Sequence, residues 1–247
     1  MDKGILLQRV SFAYHKNIAV LSDINYVIAK GDFVGISGIN GSGKSTFTYL
    51  LNGIIPHQIA GILDGRILVD GRDTQTAKTA DIATKVGLVF QNPDLTLFNL
   101  TVEEEIAFGL TNLKYPDIGR RVKEALEMVA IKGFEKKDPQ SLSVGEKQKV
   151  SLAAVLAMDT DYIILDEPTA MLDYKSSVEL YKILRELNRR KKTIIVVEHD
   201  TDFLWKFSRQ IMILDQGRIK TTGNTKEILS KFDLLDSLGI KRPNINF

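Results

Sequence analysis

Early in the chain, apolar positions cluster in short runs separated by polar and glycine-containing breaks. Ile5-Leu6-Leu7, Val10 and Phe12, and then Ile24 to Ile28, predict short strands broken by turns. Lys30-Gly31-Asp32 ends this series with a turn signal. The apolar run Val34-Gly35-Ile36 leads into a glycine-rich stretch. Phe47, Leu50 and Leu51 then fall at helical spacing, a pattern that Pro56 is expected to end. Residues 65 to 71 return to a β pattern and close on an Asp-Gly turn. Val86 to Phe90 suits a buried parallel strand, stopped by Gln91-Asn92-Pro93-Asp94.

From Thr101 to Leu152 the period changes to that of a helix. Val102, Ile106 and Leu110 form one stripe; Val122, Leu126 and Ala130 form a second, widened by Ala125 and Val129. Asp117 stands where a helix cap is expected, and an apolar helix is expected from Val150 to Met158. Strands and helices then alternate: Tyr162 to Leu165, Val178 to Leu187, Thr193 to Val197, Phe203 to Phe207, Ile211 to Leu214. Such alternation builds a mainly parallel sheet with helices on both faces. Gln216-Gly217 predicts a hairpin into Arg218 to Thr222, and a short helix is expected around Ile228 to Leu235. The expected fold class is α/β. A core at 1–90 and 151–222 carries a helical insertion at 91–150 and an extension at 223–247. The insertion is too small to stand alone stably, so the 247 residues form one domain of two joined lobes.

Composition narrows the function classes. Hydrophobic residues are 44% and charged residues 26%, ordinary for a globular protein. A net charge of +2 gives no nucleic-acid footprint. The chain has no cysteine, which excludes disulfides, thiolate nucleophiles and cysteine metal sites. Asp2 and Lys3 before a short apolar stretch do not make a secretory signal. No apolar run approaches the ~18 residues of a membrane span. A soluble, cytoplasmic chain is expected, whose membrane role would need another chain.

Gly38 to Ser45, followed by Thr46, fits the phosphate-loop pattern G-x-x-x-x-G-K-S/T. The glycines allow the backbone around Asn40, Gly41, Ser42 and Gly43 to curl against a polyphosphate, and its N–H groups form an anion-binding concavity at a helix start. Lys44 can reach β- and γ-phosphates, and the Ser45 hydroxyl can ligate Mg²⁺. Asp166 and Glu167 end the Tyr162-to-Leu165 strand, at the end of a parallel sheet where ligands bind. Asp166 suits a metal ligand, and Glu167 a base or polarising group. Gln91 follows a buried strand and can reach metal or water, or else is a surface turn amide. His199 follows the strand Thr193 to Val197, flanked by Glu198 and Asp200, and suits a γ-phosphate contact. Ser143, before Val144-Gly145-Glu146, reads first as an ordinary helix cap and second as part of another anion site. Tyr14 either stacks on a base or is a half-buried aromatic. His15 and His57 carry no assignment, and Trp205 reads as packing.

In this order the motifs resemble the ATP-binding subunit of ABC transporters over nearly the whole chain. Tyr14 matches the aromatic A-loop, Gly38 to Ser45 the Walker A motif, Gln91 the Q-loop, and Leu142 to Glu146 the LSGGQ signature. Ile163 to Glu167 matches Walker B, Ala170 to Asp173 the D-loop, and His199 the switch histidine. A narrower resemblance is to the energy-coupling-factor (ECF) ATPases of vitamin and transition-metal uptake. It rests on residues 52–57, 91–98, 101–109 and the ending Leu234 to Ile240 with Pro243.

The resemblance implies a P-loop ATPase core with a mainly parallel sheet, an antiparallel β subdomain and a helical insertion. It implies ATP and Mg²⁺ as ligands, with Ser45, Gln91 and Asp166 toward the metal and Glu167, His199 and Gln91 in catalysis. It further implies a head-to-tail dimer with a second ATPase subunit, the same chain or a paralogue, in which Ser143 and Gly145 face the partner's phosphate loop and Asp173 couples the sites. A transmembrane scaffold, contacted within Asn92 to Gly109, and a substrate-capturing membrane subunit follow, with the chain peripheral on the cytoplasmic face of the membrane. Val144 replaces the first signature glycine and Glu146 its glutamine, which bears on the site this signature completes and leaves a paralogous partner open. Within the same superfamily the alternatives are a conventional importer, a two-component exporter, a regulatory module without turnover, and a nucleic-acid-associated ATPase. The last usually carries coiled-coil, zinc or tandem-domain insertions that are not evident here.

Overall fold

A computed structural model describes residues 4–16 and 18–245; the reading of Asp2 and Lys3 lies outside the described residues. Two strands open the chain, β1 (Gly4–His15) and β2 (Ile18–Ala29), followed by β3 (Phe33–Ser37). Then come α1 (Lys44–Leu51), a short α2 (Ile54–His57), β4 (Ile62–Val69) and β5 (Arg72–Asp73). After α3 (Thr79–Ala83) and β6 (Val86–Val89) lie three helices, α4 (Val102–Asn112), α5 (Ile118–Met128) and α6 (Val144–Ala157). The chain returns through β7 (Tyr162–Asp166), α7 (Tyr174–Arg189), β8 (Thr193–Val197) and α8 (Thr201–Phe207). It closes with β9 (Gln210–Asp215), β10 (Arg218–Asn224), α9 (Thr225–Leu229) and α10 (Phe232–Ser237).

β3, β7 and β8 are buried along their whole length, which is why they read as unbroken apolar runs. They sit inside a six-stranded sheet of order β10-β9-β3-β8-β7-β6, parallel except for β10. Successive side chains face opposite ways, so Ile163, Leu165, Ile194 and Val196 pack on one side with α4 to α8. Tyr162, Ile164, Ile195 and Val197 pack on the other, against α1 and an antiparallel sheet of order β2-β1-β4-β5. Phe47, Leu50 and Leu51 are wholly buried in that second layer. At about 1.5–3 kcal/mol for each such side chain, this burial fixes α1, and with it the loop before it, against the sheet.

Four expectations need correction. β1 and β2 are long strands; the breaks read as turns are bulges, with Arg9 and Asp23 both at φ 50 and repeated register shifts along the pair. α1 ends before Pro56, because Gly53 adopts φ 75 and stops the helix in the left-handed manner. Asp117 occupies the cap position of α5 but, at φ 55, does not cap with its side chain and instead pairs with Arg120 at 3.6 Å. The single tail helix is two, α9 and α10. Among the described residues no helix is long and apolar enough to cross a membrane.

Candidate functional site

Residues 38–43 leave the carboxyl end of β3 and turn directly into α1. A side chain at Gly38 (φ 153) would place Cβ 2.2 Å from the Leu214 carbonyl oxygen, and one at Gly43 (φ 100) would lie 2.7 Å from Leu21. Both positions therefore need glycine, and the loop packs its closed side against β2 and β9 while its open side faces a cleft. Lys44 Nζ donates to the carbonyl oxygens of Gly38 and Ile39, each at 2.9 Å. Burial pushes its pKa down, opposed by the negative charges of Glu167 and Asp166. An ammonium held this way is desolvated and ready for an anion that restores its lost solvation.

Asp166 ends β7 and is buried, and its Oδ1 makes no hydrogen bond. Burial raises its pKa, and the charge of Glu167 adds to this against the favourable hydrogen bond from Ser45. A buried carboxylate oxygen without a partner, beside a serine hydroxyl that faces the cleft, is a donor set for a hard cation. Among the described residues no cluster of three or more His, Cys, Asp or Glu forms a metal cage. That fits Mg²⁺, which takes one or two protein oxygens and completes its shell with phosphate and water.

The ends of β6, β7 and β8 bring three predicted residues together. Gln91 Nε2 donates to Glu167 Oε2 at 2.8 Å, and His199 Nε2 lies 2.9 Å from Glu167 Oε1. Glu167 itself has φ 46, a left-handed conformation rare outside glycine, and its N–H donates to the Val197 carbonyl oxygen at 3.0 Å. Such strain persists only where surrounding contacts over-determine it, as they do here. Asn40, Gly41, Gly43, Lys44, Ser45, Thr46, Gln91 and Glu167, with Val20, line a cavity of about 430 Å³. Ser42 is buried at the loop's base. Tyr14 donates to or accepts from Thr46 Oγ1 at 2.9 Å and rests edge-on against Phe12, with 36% of it exposed. It is half-buried on the β layer, with part of its surface open to solvent.

Ser143 and Gly145 do not line this cavity. Ser143 caps α6 in a reciprocal box with Glu146: its Oγ accepts from the Glu146 N–H, while Glu146 Oε2 accepts from both the N–H and the hydroxyl of Ser143 at 2.8 Å. These bonds to Ser143 hold the Glu146 carboxyl below the usual range. The ordinary helix-cap reading therefore describes Ser143 within one chain, and the acid that replaces the expected glutamine serves that cap.

Sequence reasoning did not single out one acid behind the site. Glu198 is almost wholly buried behind His199 and accepts from Thr169 Oγ1 at 2.7 Å; a charged residue closing the apolar β8 run was the available signal. An apolar groove of about 240 Å³ lies beyond Gln91, walled by Leu88, Phe90, Leu97, Phe98, Phe108 and Met158. Leu95 and Leu100 beside it are more than four-fifths exposed. Buried Lys147 of α6 pairs with Asp94 at 2.5 Å, tying the turn after Gln91 to the helix that carries the signature.

The family model described as "ABC transporter" matches residues 21–170. A Pyrococcus abyssi protein described as an ABC transporter ATP-binding protein is 44% identical over 97% of this chain and 87% of its own length. The energy-coupling factor transporter ATP-binding protein EcfA of Methanocaldococcus jannaschii is 38% identical over 95% of this chain and 84% of its own. Among solved structures, cbiO1 of Clostridium perfringens, part of the ABC transporter complex cbiONQ, superposes with a TM-score of 0.84 at 32% identity, covering 97% of this chain and 95% of that one. A dimeric ATP-binding cassette bound to ADP and Pi, in a post-hydrolysis state, gives 0.78 at 28% identity over 90% and 98%.

Proposed function

The chain belongs to the ABC transporter family as an ATP-binding subunit, and from that premise we propose that it hydrolyses ATP to drive an ECF-type importer of a vitamin or transition metal. The observation that carries the hydrolytic part is the meeting of Gln91, Glu167 and His199 over the phosphate loop. Likeness to EcfA and cbiO1 supports the ECF assignment.

Lys44 transfers its ammonium from the Gly38 and Ile39 carbonyls to β- and γ-phosphate oxygens. Ser45 and the unpartnered Asp166 Oδ1 would hold Mg²⁺, with Gln91 alongside; when bound, the cation neutralises charge on the phosphates. Glu167, with each carboxylate oxygen engaged in the free chain, gives up the His199 contact and orients the attacking water. His199 turns to the γ-phosphate, and Tyr14 packs on the base. The signature residues Ser143 and Gly145 lie outside this chain's cavity, so the opposing wall comes from a second copy or a paralogue. Mobilising the Ser143 hydroxyl for a phosphate requires loosening its bond to Glu146, which favours unequal sites in a heterodimer.

The groove beyond Gln91 is where the transmembrane scaffold docks, within residues 92–109, on the cytoplasmic face. The cysteine-free chain makes this directly testable with single cysteines. Phe98→Cys, 63% exposed at the groove, should crosslink to a multi-span membrane protein, whereas Val27→Cys, 62% exposed on the antiparallel sheet, should not. Crosslinking from Val27 alone would overturn this placement.

A further inference from the structure

β7 and β8 end side by side, and the two residues assigned to hydrolysis stand on different turns: Glu167 after β7 and His199 after β8. Their contact depends on what holds those turns in register. One tie is the backbone bond from the Glu167 N–H to the Val197 carbonyl oxygen. The other is Glu198. Its N–H donates to the Ile36 carbonyl oxygen at 3.0 Å, which fixes it to β3 at the root of the phosphate loop. Its carboxylate reaches across to accept from Thr169 Oγ1 and is favoured by the backbone N–H groups of Asp200 and Thr169.

The surroundings make this an expensive place for a carboxylate. Glu198 is 3% exposed and faces Tyr181 of α7, which is fully buried, stacks 4.7 Å from Phe203 and turns its hydroxyl toward the Glu198 carboxylate. The charged group that acts on it is Asp200 on its own turn, and the titratable group facing it from α7 is Tyr181. Lys241 of the C-terminal segment is spent on Asp200 and Asp202, at 2.9 and 2.6 Å. No cation pairs with Glu198 among the described ion pairs. A buried acid without a counter-ion, hydrogen-bonded across two catalytic turns, is not explained by packing, since filling the space does not require a charge there.

We propose that Glu198 is a positioning residue, whose buried carboxylate locks the turn bearing Glu167 to the turn bearing His199 and so sets their contact. This rests on the roles assigned above to Glu167 and His199. Burial raises the Glu198 pKa from 4.5 to about 7, against its hydrogen bond from Thr169. In the unfolded chain the proton leaves first, so the fold binds more protons between these values and its stability falls as pH rises from 4.5 through about 7. The carboxylate that does the locking is the form the fold tolerates least.

The test compares Glu198→Gln, Glu198→Ala and Thr169→Val in the full chain purified with its associated subunits, beside Glu167→Gln. Glu198→Gln keeps one acceptor but turns an N–H₂ toward the donors of Asp200 and Thr169. It should melt higher than the wild type above pH 7, match it below about pH 4.5, and still turn over ATP several-fold more slowly. Glu198→Ala should lose roughly tenfold or more in kcat with little change in KM, the size expected when catalytic groups are displaced by a fraction of an ångström. The part of the wild-type acid limb that lies near pH 7 should flatten in Glu198→Gln. In the nucleotide-free chain, the ring signal of His199, one of three histidines, should shift in NMR spectra of Glu198→Ala and of the isosteric Thr169→Val. If Glu198→Ala fails to fold, the other two variants decide. Wild-type turnover, pH profile and His199 signal in them, with Glu167→Gln inactive, would overturn the positioning role alone; an active Glu167→Gln would remove the reading beneath it as well.

Discussion

Glu167→Gln is expected to bind ATP with wild-type affinity and to lose hydrolysis by about 10²–10⁴-fold, the span associated with a positioned general base. The substitution is isosteric and keeps an oxygen that can accept from Gln91 Nε2, now at 2.8 Å. The phosphate loop is untouched, since Lys44 bonds to Gly38 and Ile39 and not to Glu167. Binding and chemistry should therefore separate: a fluorescent ATP analogue titrates as before while phosphate release falls to background. Turnover within a factor of two of the wild type would remove Glu167 from the role assigned to it.

Lys44→Ala is expected to do the opposite and weaken ATP binding itself by roughly 10–100-fold, the equivalent of about 1.5–3 kcal/mol for a hydrogen bond to a charged group. The phosphates lose their desolvated ammonium, and part of that loss is offset because the Gly38 and Ile39 carbonyls no longer compete for it in the free chain. Lys44→Arg should not rescue the loss, because a planar guanidinium cannot fit where a point charge is folded back onto two adjacent carbonyls. Equilibrium titration with the same analogue checks this; an unchanged dissociation constant in Lys44→Ala would contradict the placement of phosphate at this loop.

The parallel strands were legible because each is buried on both faces, which forces an unbroken apolar run such as Thr193 to Val197, matched residue for residue by β8. The phosphate loop was legible because its glycines answer steric demands that admit no substitute, as at Gly38. Bulges were not. Asp23 has turn-like chemistry and Arg9 interrupts an apolar run, and only cross-strand pairing reveals that the strands run on through them. Asp117 has the right residue type for a cap, but its backbone conformation, set by the chain around it, denies its side chain that use.

In the site, strand order places Gln91, Glu167 and His199 together, and that could be inferred from carboxyl ends alone. The tie between Tyr14 and Thr46 could not, because it joins different layers. Glu198 escaped notice because an acid after a strand is usually solvated; its burial, against Tyr181 of α7, is set by tertiary packing. Ser143 shows the limit from the other direction. Both readings of it were chemically sound, and the geometry of one chain settles only the cap.

The importer assignment is decided by recovering the full chain from its native membranes in mild detergent and identifying every accompanying subunit. A polytopic scaffold and a small substrate-capturing membrane protein should accompany it, in stoichiometric amounts with a pair of ATPase subunits. A chain recovered free of membrane partners, or holding nucleic acid, would leave the ATP site standing and contradict its assignment to an importer.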